Sequence, residues 1–71
     1  MTSPTKSISV LIPNYDWDVS TLIKSLHKQL VHAGVPFEIL CFDDCANSIH
    51  RAKNETVNAL ENVRYTVNAN S

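Results

Sequence analysis

The chain has 71 residues, 44% hydrophobic and 18% charged, with six Lys and Arg against seven Asp and Glu and a formal net charge of −1. A chain this short buries only about 60% of the surface its unfolded form exposes, which fits one marginally stable domain spanning residues 1–71. Scattered, near-balanced charge excludes the electrostatic footprint of a nucleic-acid binder, no apolar stretch approaches the ~20 residues of a membrane-spanning helix, and the polar opening from Met1 to Ser7 lacks the apolar block of a signal peptide.

Past that opening, Ile8-Ser9-Val10-Leu11-Ile12 is β-branched and apolar on both faces, which predicts a buried strand ending at Pro13, a residue that cannot donate to a ladder. From Val19 the apolar positions Val19, Leu22, Ile23, Leu26, Leu30 and Ala33 follow the stripe of an amphipathic helix. Asp18 is its expected N-cap, and Gly34 followed by Val35-Pro36 its stop. Phe37-Glu38-Ile39-Leu40-Cys41-Phe42 predicts a second strand, closed by Asp43-Asp44 and the turn-like Cys45-Ala46-Asn47-Ser48. A weaker pattern at Ile49, Ala52, Thr56, Ala59 and Leu60 predicts a second helix, with Asn47 or Ser48 as its cap. Val63-Arg64-Tyr65-Thr66-Val67 alternates apolar and polar residues and predicts a third strand exposed on one side.

The order β-α-β-α-β implies a parallel three-stranded, Rossmann-like half-sheet of α/β class with helices packed on it. Half-sheets of this kind are usually continued, and Asn68-Ala69-Asn70-Ser71 supplies neither a closing helix nor a cap, so the chain reads as a piece of a larger fold. One glycine, Gly34, is too few for a dinucleotide or triphosphate cradle. Two cysteines, Cys41 and Cys45, make no disulfide scaffold and no zinc spacing, and a reducing, cytoplasmic setting is the expectation.

Ligands of open parallel sheets bind outside the carboxyl ends of the strands, and two polar clusters fall there: Pro13-Asn14-Tyr15-Asp16 and Asp43-Asp44. Carboxylates placed side by side at the end of an apolar strand repel each other and resist desolvation, which a ligand donating hydrogen bonds would relieve. A carboxylate held there can accept the N3–H of uracil, whereas cytosine presents an acceptor at that position, and Tyr15 can stack on the same base.

These segments resemble the family 2 glycosyltransferases. The match lies in Ile8-Ser9-Val10-Leu11-Ile12-Pro13-Asn14-Tyr15, in Phe37-Glu38-Ile39-Leu40-Cys41-Phe42-Asp43-Asp44 and in Asn62-Val63-Arg64-Tyr65, and it covers most of the chain. The resemblance implies the N-terminal, nucleotide-binding portion of a GT-A nucleotide-diphospho-sugar transferase fold, whose parent transfers a sugar from a nucleotide sugar, with UDP as the expected nucleotide, to an acceptor with inversion. By the same resemblance Pro13 and Tyr15 line the uracil site, Asp44 binds the base and Asp43 is its structural partner. A divalent metal, Mg or Mn, is implied for the parent, with its Asp-x-Asp ligands and the catalytic base beyond Ser71. The segment alone is therefore expected to bind the nucleotide weakly, to transfer no sugar, to leave the third strand or an adjacent sheet face under-covered, and to expose a hydrophobic edge along the first strand to self-association; any peripheral membrane association would come through other parts. The family commonly follows its acid pair with Gly-Ser, where this chain has Cys45-Ala46-Asn47-Ser48.

Asp16-Trp17-Asp18 spells the metal-binding pattern but sits where a helix begins, and is read as a helix start with no metal. His27, His32 and His50 are expected at the surface, Cys41 in the core. Asn54-Glu55-Thr56 matches a glycosylation sequon without a secretory signal to make it one. The rival class is a non-catalytic α/β interaction module or a Mg-dependent phosphoacceptor switch. That switch carries its acid pair after the first strand, whereas here the pair follows the second.

Overall fold

The computed structural model describes residues 7–68. Three strands, β1 (Ile8–Asn14), β2 (Phe37–Asp43) and β3 (Val63–Val67), form one parallel sheet in the order β1-β2-β3. Helix α1 (Ser20–Ala33) connects the first pair of strands, and α2 (Arg51–Glu55) with the 3-10 turn η1 (Thr56–Ala59) connects the second. The register sets Ile8 against Phe37, Leu11 against Leu40 and Asn14 against Asp43, then Ile39 against Val63 and Asp43 against Val67. No helix among the described residues is long and apolar enough to cross a membrane.

Both crossovers step in the same direction along the sheet, so a shared right-handed sense puts both helical segments on one face. The core there joins Val19 and Ile23 of the first crossover, Ile39 and Cys41 of β2, Val57 of η1, and Val63 and Tyr65 of β3. The opposite face has no such cover: Leu11 is 63% exposed and Phe42 49%. The expectation that β1 is buried on both faces thus fails, while the expectation of an under-covered face holds.

Pro13 does not end β1. The N–H of Ile8 donates to the Pro36 carbonyl (3.0 Å) and the Asn14 carbonyl accepts from Asp44 (3.1 Å), so the even-numbered residues of β1 bond to β2. Odd residues point their backbone groups to the outer edge, where the missing N–H of Pro13 breaks no bond. At Tyr65 the outer edge of β3 is occupied by a side chain. The Asn58 amide accepts from the Tyr65 N–H (2.7 Å) and donates to the Tyr65 carbonyl (3.4 Å), as a neighbouring strand would.

Helix α1 begins one residue later than its stripe. Val19 takes the N-cap position without a side-chain cap bond, while Asp18 accepts from the Ser20 N–H (3.0 Å) and hydroxyl (2.6 Å). Val19, Ile23, Leu26 and Leu30 pack inward, whereas Leu22, one position aside, stays 51% exposed. His27 and His50 are half-buried rather than at the surface, where His32 does lie; the His27 ring stands 5.5 Å edge-on from Phe37, and its Nε2 is buried without a partner among the described residues. Gly34 ends the helix at φ 74°, donating to Val31 (3.1 Å).

The second predicted helix splits. The Thr56 hydroxyl donates back to Lys53 (2.6 Å) as the turn tightens, and the inward residues are Asn54 and Val57, with Ile49 left 87% exposed. The apolar pattern misread this face because one of its two fully buried members, Asn54, is polar.

Candidate functional site

The carboxyl ends of β1 and β2 are adjacent, as their register requires. What gathers there is divided by the period-2 alternation of β2. Ile39, Cys41 and Asp43 face the helices, and Asp43 is fully buried, while Asp44 next to it is exposed.

Asp43 is held from three sides. Its Oδ2 accepts from the Tyr65 hydroxyl in a short hydrogen bond and from Asn14 Nδ2 at 3.2 Å, and its Oδ1 accepts from the Cys45 N–H at 2.8 Å. Burial first, and then the hydrogen bond to Asp43, pushes the Tyr65 hydroxyl up to about 12. Burial, with the charge of Asp43 added, pushes the Cys41 thiol up to about 11. A buried carboxylate is tolerated where every lone-pair direction it turns inward meets a donor. The Asp43–Cys45 bond also shapes the turn where the glycosyltransferase pattern has glycine: Cys45 keeps a negative φ, and an Asx-type bond closes the turn instead.

Asp44 is tied to the same edge through its backbone, donating to Asn14, and through its carboxylate, which accepts from Asn68 Nδ2 at 3.3 Å. Tyr15 is 65% exposed just past β1, and Pro13 is exposed on the open face. Of the four residues the sequence singles out, the fold therefore presents Pro13, Tyr15 and Asp44 outward at one edge and turns Asp43 inward as their support.

The loop from Tyr15 to Val19 is braced by residues that sequence reading did not assign. Asn14 Nδ2 donates to the Trp17 carbonyl at 3.0 Å, and Asn54 Nδ2 donates to the same carbonyl at 2.8 Å. Asn54 Oδ1 accepts from the Val19 N–H at 2.9 Å, so its side chain is sealed in the interior and the sequon offers no accessible amide. Asp18, bonded by Ser20 first and then by Lys53 Nζ at 3.2 Å, has its carboxyl lowered to about 2. The parity of β3 could have announced Tyr65, since it stands between Val63 and Val67 on the covered face; nothing local announces Asn54.

Among the described residues, no group of three or more His, Cys, Asp or Glu side chains could hold a metal ion. The edge offers one buried carboxylate held by three donors beside one exposed one, a set with no cluster for a divalent metal, whose ligands the resemblance assigns to other residues. A concavity of about 500 Å³ lies elsewhere, lined by Glu38, Leu40, Asn62, Val63 and Arg64 toward the amino ends of β2 and β3. The strand-end geometry outweighs it, because parallel sheets bind ligands at the opposite edge. Comparison of the chain with protein-family models, curated proteins and solved structures returns no match.

Proposed function

We propose that this chain is the base-binding portion of a family 2-like glycosyltransferase that uses a uridine nucleotide sugar, with Asp44 accepting the uracil N3–H and Tyr15 stacking on the ring. The observation that carries the reading is the parallel register of Asn14 with Asp43, which brings the Tyr15 loop and the exposed Asp44 to one edge. Asp43 contributes by position: held by Tyr65, Asn14 and Cys45, it fixes the backbone from which Asp44 projects. In a transferase of that kind a divalent metal, held by residues other than these, would stabilise the leaving diphosphate and a base would activate the acceptor hydroxyl; the described residues would hold and orient the nucleotide.

Calorimetric titration tests it. Asp44→Ala is expected to weaken UDP binding by about ten- to a hundred-fold, the loss of a charged hydrogen-bond partner worth roughly 1.5–3 kcal/mol, and to abolish preference for UDP over CDP. Asp16→Ala should change little. Equal losses in the two variants would remove Asp44 from the base.

A further inference from the structure

We infer that Trp17 is a second base-contacting residue, forming with Tyr15 an aromatic platform that binds the nucleobase by its ring face without selecting among bases. The inference rests on the nucleotide-binding reading above and adds a division of labour to it: Trp17 and Tyr15 supply affinity, Asp44 supplies choice.

The first observation is exposure. Trp17 is 72% exposed and Tyr15 65%, the two largest values among the described aromatic residues. Aromatic side chains are the largest hydrophobic groups available to a small core, yet this chain, with five of them in all, leaves two in water at the ligand-binding edge of the sheet. Tyr65, by contrast, is nearly buried and Phe37 packs on His27.

The second observation is that the loop bearing them is fixed. Two asparagine side chains from different elements, Asn14 and Asn54, donate to the single carbonyl of Trp17. The next residues are held in turn, Asp18 by Ser20 and Lys53, and Val19 by Asn54. Between the two rings, Asp16 adopts φ 59°, a left-handed conformation uncommon for a residue other than glycine. Such conformations persist only where the surroundings enforce them, and they cluster at ligand sites. An exposed ring on a mobile loop would lose freedom on binding; one carried by a braced backbone loses less and binds more tightly for the same contact.

Stacking is tolerant of base identity because every base has a π face. Trp17→Ala is therefore expected to lower UDP affinity by roughly five- to a hundred-fold while leaving the UDP-to-CDP ratio unchanged. Trp17→Phe should restore most of the loss. Since the indole is the only one in the chain, its fluorescence in the unmodified protein should change saturably as UDP is added, with the midpoint that calorimetry gives. Trp17 touches solvent and its braced group is backbone, so circular dichroism and denaturation of both variants should match the parent. UDP binding by Trp17→Ala at parental affinity, with no fluorescence response in the parent, overturns the platform; loss of base preference in Asp44→Ala then leaves the base-binding reading standing. Retention of both affinity and preference in Asp44→Ala overturns that reading while a loss in Trp17→Ala upholds the platform. No binding of either nucleotide to the parent overturns both.

Discussion

Asp43 and Asp44 are neighbours in sequence and opposites in environment, and the difference follows from strand geometry alone. Successive side chains of a strand point to opposite faces, so the alternation already visible in Phe37, Ile39 and Cys41 sends Asp43 inward and Asp44 outward. The presence of a polar edge at Pro13, Tyr15 and Asp44 was legible in the sequence; the partners that make a buried Asp43 tolerable were not. Tyr65 and Asn14 reach it across 22 and 29 residues of chain, a distance no local pattern spans. Tyr65→Phe should therefore cost about 1.5–3 kcal/mol by chemical denaturation, as a buried carboxylate loses a donor; an unchanged midpoint would mean that the hydroxyl bond adds nothing. The same network makes stability sensitive to alkali. Tyr65 moves from 10.0 to about 12 and Cys41 from 9.0 to about 11 on folding, so the folded state holds both protons more firmly than the unfolded one. Their contribution is complete below about pH 9 and is lost as pH rises from there to about 12. Denaturation midpoints measured from pH 8 upward should fall through that window, and Tyr65→Phe should remove the upper part of the fall.

At the level of elements, β2, β3 and α1 follow the sequence closely because each is driven by one repeating apolar period. The second crossover did not, and Asn54 explains why: its burial is repaid through hydrogen bonds to Trp17 and Val19, which a pattern of hydrophobicity cannot register. Pro13 misled for a related reason, since whether a strand tolerates proline depends on which edge its nitrogen faces, and that is known only once the neighbours are placed. Gly34 is the simplest element-level test. A Cβ built there meets nothing within 4 Å, yet φ is 74°, so Gly34→Ala should destabilise by about 1 kcal/mol through backbone conformation alone. A loss of several kcal/mol would point to a steric role that the open space around Gly34 does not suggest.

For the whole molecule the governing fact is asymmetry. One face of the sheet is packed and the other leaves Leu11 and Phe42 in water, although parallel sheets are ordinarily covered on both sides. The edges are unequal as well. Along β3 the Asn58 amide and the Val63 bond to Leu60 occupy outward-facing groups, whereas β1 has no strand beyond it among the described residues. Asn58→Ala should leave the packed core in place while opening that second edge, and sedimentation velocity over a concentration series should show species larger than dimers that the parent does not form. Matching distributions for the two proteins would show that Asn58 does not guard the edge.

In the vocabulary of polymer chemistry, an Asn58 that guards its edge would leave the sheet among the described residues with one reactive margin, as in a monofunctional monomer. A unit with one reactive margin can couple once, back to back with its like, and the product has no live end. A unit with two propagates for as long as material lasts, which is how an exposed strand edge becomes a fibre. A single amide, bonded to the two backbone groups of Tyr65, would then act as a chain terminator.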